Sequence, residues 1–243
     1  MMLTIEQVSK NFGGLQALSE VSVAFASGEF TALIGPNGSG KTTLLNCISG
    51  LYRPDQGSIR FEQHTISGLA PHRIYKLGLG RTFQLSKVFN RLTVAENLSI
   101  PALTEGRINR KQIRDRTEEI LVRIKLDHLS DSTAENLSGG QRKLLELGMV
   151  MMTEPRLLLL DEPFGGVHPE LKSTLENYLC HLNRNGKTII LVSHEMPAVF
   201  KICRRLVVLD HGALVTEGPP ETVRNDAHVI QAYLGGRHEA GDE

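Results

Sequence analysis

Apolar and polar positions alternate over Leu3 to Val8 and Val21 to Phe25, then run almost unbroken from Phe30 to Ile34 and stop at Gly-Pro. Alternation predicts strands with one buried face, and the unbroken run predicts a strand buried on both faces. After Lys41, the residues Leu44, Leu45 and Ile48 fall at helical spacing and the segment ends on Gly50, which completes a strand, loop and helix. A turn at Pro54 to Gly57 leads to a short strand over 58–61, a helix over 70–77 and an extended piece ending at Gln84. From 85 to 152 the period becomes helical over 93–98, 113–126 and 139–152, with Ile113, Ile120, Leu121 and Ile124 on one stripe. This predicts an inserted helical lobe. Strand signals (156–160, 188–193, 206–209) then alternate with helix signals (171–182, 197–202), which predicts parallel α/β packing. Asp210-His211-Gly212 predicts a hairpin turn into 213–216, and the polar end GGRHEAGDE is expected to fray.

Composition narrows this picture. The 243 residues, 40% hydrophobic and 22% charged, suffice for a core without disulfide or metal staples and lie far from the balance of disordered chains. Lys plus Arg and Asp plus Glu are both 27, so no global field draws the chain onto phosphate backbones, and no nucleic-acid partner is expected. The cysteines Cys47, Cys180 and Cys203 are odd in number and set among apolar residues, which predicts reduced thiols. The opening MMLTIEQVSK has no basic leader and apolar run, and no apolar stretch spans a bilayer, so the expectation is a chain neither exported nor membrane-crossing. The basic residues Arg107, Arg110, Lys111, Arg114 and Arg116 are interleaved with Asp115, Glu118 and Glu119, which reads as a solvated helix face.

Three segments carry chemistry. Gly35-Pro36-Asn37-Gly38-Ser39-Gly40-Lys41-Thr42-Thr43 sits between a buried strand and a helix, the context of a phosphate-binding loop. Its glycines let successive N–H groups turn toward a phosphate at the helix N-terminus, Lys41 adds positive charge, and Thr42 offers a hydroxyl to Mg²⁺. The run Leu157 to Leu160 ends in Asp161-Glu162, placing two carboxylates at a sheet's carboxyl edge. There Asp161 suits the Mg²⁺ shell and Glu162 suits the water that attacks a γ-phosphoryl group. Such a pair is weak evidence alone and gains weight beside the loop. Leu137-Ser138-Gly139-Gly140-Gln141 opens a helix that Ser138 can cap, with glycines leaving N–H groups bare to an anion.

Together GPNGSGKTT, LSGGQ, LLLLDEP and the single His194 after TIILVS closely resemble the ATP-binding subunits of ABC transporters, across essentially the whole chain. The resemblance implies an α/β P-loop NTPase (RecA-like) core with an antiparallel β subdomain, over 1–84 and 153–216. It also implies an inserted α-helical subdomain over 85–152 and a short C-terminal helix and tail over 217–243. It makes Phe12 the aromatic that stacks on adenine, Gln84 a metal-side glutamine joining nucleotide to helical lobe, and His194 the switch histidine at the γ-phosphate. ATP and Mg²⁺ are the implied cofactors, and hydrolysis to ADP and phosphate is the implied reaction. The family closes two such chains head to tail, the 35–43 loop of one against the partner's Ser138 to Gln141, with ATP between them.

Around the glutamine, Gly78 to Gln84, Val88-Phe89 and Leu92 to Leu98 resemble the ATPases of branched-chain (hydrophobic) amino-acid and urea or amide importers, as does Gln231-Ala-Tyr-Leu-Gly235. That group implies pairing with a second, different ATPase chain beneath two transmembrane permease subunits at the cytoplasmic face of the cell membrane, fed by an extracytoplasmic solute-binding protein. Apolar Leu85, Val88 and Phe89 suggest a groove for a short permease helix. A lipid or lipopolysaccharide exporter ATPase and a soluble iron–sulfur cluster assembly ATPase stand as alternatives. One departure is visible: six residues past Glu162 the family usually has Asp, whereas this chain has His168 in Gly165-Gly-Val-His-Pro169, either a change in the loop facing the partner or a cap for the helix that follows.

Overall fold

The computed structural model describes residues 1–105, 108–226 and 229. Its elements in chain order are β1 (Leu3–Phe12), β2 (Leu15–Phe25), β3 (Phe30–Ile34), α1 (Lys41–Ile48), β4 (Gln56–Phe61), β5 (His64–Thr65), α2 (Pro71–Lys76) and β6 (Leu79–Arg81). There follow α3 (Val94–Glu105), α4 (Arg110–Arg123), short 3₁₀ turns at Asp127–Leu129 and Ala134–Asn136, α5 (Gly139–Met151), β7 (Leu157–Asp161) and α6 (Pro169–Arg184). The last are β8 (Thr188–Val192), α7 (Met196–Ile202), β9 (Arg205–Asp210), β10 (Ala213–Gly218) and α8 (Pro220–Arg224). The described residues form two compact units, one of Met1–Leu77 with those from Thr188 on, the other within Gly78–Lys187.

In the first unit, β2-β1-β4-β5 make an antiparallel sheet whose inner face buries Leu3, Ile5, Val8, Val21, Val23, Ile59 and Phe61. β1 reaches four residues beyond the predicted Val8 because the chain bulges: Gln7 takes φ 49°, the register shifts, and pairing resumes down to Phe12 opposite Leu15. Beside it β3 lies parallel to both β8 (Leu33 opposite Val192) and β9 (Ile34 opposite Val208), with β10 antiparallel on β9. Every residue of β3 and β8 is buried, as their unbroken apolar runs predict.

The second unit pairs β6 parallel to β7 and packs α3, α4 and α5 together. The predicted stripe is the inner face of α4 and its exit: Ile113, Ile120, Leu121 and Ile124 are all buried. α3 runs past the predicted Leu98 to Glu105 with Pro101 inside it. The extended piece stops at Arg81, three residues short of Gln84: Thr82 N–H makes a last bond to Leu159 O of β7, and the Phe83 N–H after it bonds to a side chain of α5. Along α4, Arg114 and Arg123 pair with Glu118 and Glu119 on exposed surface, while Arg116 reaches Glu154; Arg107 lies outside the described residues, as do 231–235 and the polar end. All three cysteines are free thiols.

Candidate functional site

The candidate residues divide between the two units. In the first, β3 delivers the chain at its carboxyl edge into the 35–40 loop, which closes as Ser39 N–H bonds to Pro36 O and α1 begins at Lys41. Two glycines are required by space as well as by φ. A β-carbon on Gly35 (φ 150°) would sit 2.0 Å from Leu209 O, and one on Gly40 (φ 98°) would sit 2.6 Å from Ala17 O. The loop is therefore pressed against the main chain behind it, with Ser39 buried and its carbonyl accepting the Gly212 N–H at 3.1 Å. Lys41 is 6% exposed, and its Nζ donates to Gly35 O and Pro36 O at 2.8 Å and to Ser39 Oγ at 3.3 Å. These oxygens hold a cation at the centre of the loop, where a phosphate would find a counterion. Asn37, Gly38 and Thr42 are exposed, and Pro36 and Thr43 half-buried.

Two other features complete this unit. β8 ends one position before Ser193-His194, and His194 leaves the sheet two residues past the Leu33–Val192 pair, as Gly35 does, so an exposed imidazole shares the loop's sheet edge. At the tip of β1, Phe12 is 41% exposed and its ring meets Tyr52 edge-on at 5.1 Å, with Lys10 Nζ 5.5 Å from the Phe12 centroid. Asp55 braces that strand end by accepting from Lys10 Nζ and the Asn11 N–H; the Lys10 hydrogen bond, then the Asn11 one, holds its carboxyl below the usual range. Tyr52 and Asp55 are absent from the sequence-based set, since nothing local ties them to Phe12.

In the second unit β7 ends on Asp161, 3% exposed, whose carboxylate lies 3.5 Å from the buried Arg81 guanidinium. Glu162 follows, half-buried, with φ 50°, a left-handed conformation that L-residues rarely adopt and that cost of strain confines to supported positions. Its carbonyl accepts from Lys143 Nζ at 2.6 Å. Gln84 is exposed in the bend after β6, and the flanking main chain is held by the buried Glu146, whose Oε1 accepts from Phe83 N–H at 3.1 Å and Lys87 N–H at 3.4 Å. Burial raises the Glu146 pKa against the opposing effect of those N–H groups, and burial lowers that of Lys143 against the attraction of Glu162, Glu146 and Asp161.

Ser138 caps α5 in a reciprocal box: its Oγ accepts from Gln141 N–H and its N–H donates to Gln141 Oε1. Gly139 has open space around it, whereas a β-carbon on Gly140 would press Leu171 and Val167 at 3.1 and 3.2 Å, so Gly140 serves packing too. His168 occupies the N-cap position of α6 but makes no side-chain cap bond, which goes against the capping alternative of the two sequence-based readings. Buried Asn97 on α3 bonds the main chain at Phe89, Leu92 and Thr93, leaving Leu85 and Phe89 77% and 50% exposed.

A glycine loop closing on a lysine between a buried parallel strand and a helix defines an α/β nucleoside-triphosphatase of the P-loop class. Residues 18–165 match the model of the ABC transporter family, and residues 213–239 that of the branched-chain amino acid ATP-binding cassette transporter. The chain belongs to the ABC transporter family and is one of its ATP-hydrolysing cassettes. It is 40% identical to a probable branched-chain amino acid transport ATP-binding protein, LivG, of Archaeoglobus fulgidus, over 96% of this chain and 95% of that one. It is 33% identical to the lipopolysaccharide export system ATP-binding protein LptB of Haemophilus influenzae, over 96% and 97%. Among solved structures, an ATP-binding cassette of an ABC transporter in its ADP conformation superposes with a TM-score of 0.85 at 34% identity, covering 96% of this chain and 98% of that one. A dimeric, post-hydrolysis cassette bound to ADP and phosphate gives 0.82 at 26% identity, covering 90% and 98%.

Proposed function

We propose that this chain powers an importer of branched-chain amino acids or related amides by ATP-driven, head-to-tail closure of a cassette dimer. The observation that carries the solute class is the match of residues 213–239 to the branched-chain cassette model, alongside the LivG likeness. In this reading Phe12 stacks on adenine, the N–H groups of 35–43 and Lys41 bind the phosphates, and Ser138, Gly139, Gly140 and Gln141 meet the partner's nucleotide. Glu162 orients the attacking water and accepts its proton, and Gln84 and His194 attend the γ-phosphate. In this reading the exposed Thr42 hydroxyl, the Gln84 amide oxygen and the Asp161 carboxylate, each a hard oxygen of the kind Mg²⁺ takes, would hold the metal. When bound, the metal neutralises charge on the phosphate oxygens.

Two anion-facing helix ends in one chain, at α1 and α5, support the dimer, since a head-to-tail pair uses both. Two permease subunits, a second ATPase and an extracytoplasmic solute-binding protein complete the assembly, with this chain peripheral at the cytoplasmic face of the inner membrane. Among the described residues no helix is long and apolar enough to cross a membrane, and exposed Leu85 and Phe89 offer apolar contact for a permease helix. The LptB likeness favours a second reading, a lipopolysaccharide exporter ATPase.

The test is affinity purification of tagged Glu162→Gln chain with Mg-ATP from its own detergent-solubilised membranes. Two polytopic subunits plus a different ATPase, with a solute-binding protein that takes up branched-chain amino acids or amides, is the expected result. Envelope lipopolysaccharide-export components would establish the exporter, and soluble partners alone would reject transport.

A further inference from the structure

Helix α5 carries two charged side chains that its capping and packing do not need. Lys143 and Glu146 are three residues apart, hence on one helical face. They line one small cleft with Thr82, Phe83, Leu160 and Pro163, and each grips the main chain of a different loop. Lys143 reaches the carbonyl of Glu162 at 2.6 Å; Glu146 reaches the N–H groups of Phe83 and Lys87, which bracket Gln84. Neither contact touches a side chain assigned to the chemistry, so each sets where that side chain starts from.

Their cost argues for a purpose beyond stability. Glu146 is buried and Lys143 half-buried; charges taken out of water are weak net stabilisers, and apolar residues would fill the cleft as well. Bonds to the main chain at or beside Glu162 and Gln84 place those residues without themselves using the functional groups. Glu162 needs such fixing, since its φ of 50° is a conformation that the chain leaves unless held.

We propose that Lys143 and Glu146 are positioning residues that tie the Ser138 to Gln141 helix to Glu162 and to the Gln84 segment of the same chain. A displacement of α5 at its N-terminus then reaches both loops through two side chains one helical turn apart. This rests on the reading of Glu162 and Gln84 given above. It makes the helix end facing a partner's nucleotide the same rigid body that sets this chain's own catalytic groups.

The test compares Lys143→Met, Glu146→Leu and Glu146→Gln with the parent chain and with Glu162→Gln, in the assembled complex. Steady-state ATP hydrolysis, the dissociation constant of a fluorescent ATP analogue and the thermal midpoint are measured for each. Loss of a charge-assisted bond to a positioning site is expected to lower kcat roughly tenfold in Lys143→Met and Glu146→Leu. KM, nucleotide affinity and thermal midpoint should stay near the parent's. Glu146→Gln keeps an acceptor oxygen and should restore most of the rate. Parent-like kcat in Lys143→Met and Glu146→Leu, with Glu162→Gln inactive, would overturn the positioning role and leave the catalytic assignment standing. Rate, affinity and thermal midpoint falling together without rescue by Glu146→Gln would overturn it also, as general damage. Full turnover in Glu162→Gln would instead remove the reading beneath it.

Discussion

Gly212 lies far in sequence from the phosphate loop yet braces it, and its substitution measures how much of nucleotide binding is main-chain support. The residue has φ 79°, its N–H donates to Ser39 O at 3.1 Å and its carbonyl accepts from Ser19 N–H at 2.8 Å. A β-carbon there would stand 2.8 Å from Ala17 O and 3.0 Å from Ala17 C, both main-chain atoms with little room to yield. Gly28 is the control: its φ is 74°, and nothing lies within 4 Å of an added β-carbon. Left-handed backbone costs an alanine about 1–2 kcal/mol at either site. The forced contact adds about 1–3 kcal/mol at position 212 only. Gly212→Ala should therefore lose about 2–5 kcal/mol in urea unfolding, and Gly28→Ala about 1–2 kcal/mol. If the strain is relieved by moving the turn, the bond to Ser39 lengthens. Forfeiting about 0.5–1.5 kcal/mol of loop support weakens binding of a fluorescent ATP analogue by roughly 2- to 12-fold. Equal destabilisation of the two variants, or parent affinity in Gly212→Ala, would refute the bracing argument.

Lys41→Ala removes the fixed cation of the loop and is expected to abolish measurable nucleotide binding in equilibrium titration with Mg-ATP, whereas retained affinity would remove Lys41 from the phosphate site. Phe12→Ala should weaken ATP binding by roughly tenfold, the worth of one aromatic stack, and Asp55→Ala should weaken it in the same direction by freeing the strand end; an unchanged affinity in both would place adenine elsewhere. Burial pushes the Cys47 thiol from 9.0 up to about 11 and the Tyr178 phenol from 10.0 up to about 12, so the unfolded chain releases these protons first. Stability should then fall as pH rises from about 9 toward 11, less steeply in Cys47→Ala, and a flat alkaline profile would contradict the burial of the thiol. His168→Asp supplies an N-cap acceptor at an exposed position where His168 makes no cap bond, and urea unfolding should show a gain of about 1 kcal/mol; no gain would mean that the α6 start is already satisfied.

How far the sequence foretells the structure depends on how local the deciding force is. β3 matches its expected bounds because burial on both faces writes an unbroken apolar run, and α1 because a glycine loop and a glycine stop bracket it. β1 extends beyond its expected end because a bulge at Gln7 breaks alternation without ending pairing. The strand before Gln84 is shorter than expected: its pairing with β7 ends where Thr82 N–H meets Leu159 O, and the Phe83 N–H beyond it goes to Glu146, more than sixty residues away. The site follows the same rule. The 35–43 loop, the Asp161-Glu162 step and the Ser138 box are legible because each is a contiguous piece of backbone chemistry. Tyr52, Arg81, Lys143, Glu146 and Gly212 are not, because their partners come from distant segments. Two of them leave a trace: Arg81 is a cation within a buried strand, and Glu146 is an acid inside the apolar run Leu144 to Met151, and both patterns signal a buried charge with a partner.

The two units hold their functional residues by different means, and the difference has a physical reading. Around the 35–43 loop the support is glycine geometry and main-chain hydrogen bonds, with Gly35 and Gly40 packed so closely that the loop has one shape. Such a template suits a phosphate, whose position has to be the same in every cycle. Around Asp161, Glu162 and Gln84 the support comes from charged side chains: Arg81 pairs with Asp161, Lys143 donates to the Glu162 carbonyl, and Glu146 accepts from the N–H groups of Phe83 and Lys87. Lys41 adds charge-assisted bonds to Gly35 O, Pro36 O and Ser39 Oγ inside the loop, but there the close glycine packing already dictates the path of the main chain. In the proposed reading, the loop assigned to the phosphates is thus held by close glycine packing, and the segments assigned to hydrolysis are held by long charged side chains that carry a shift of α5 to them.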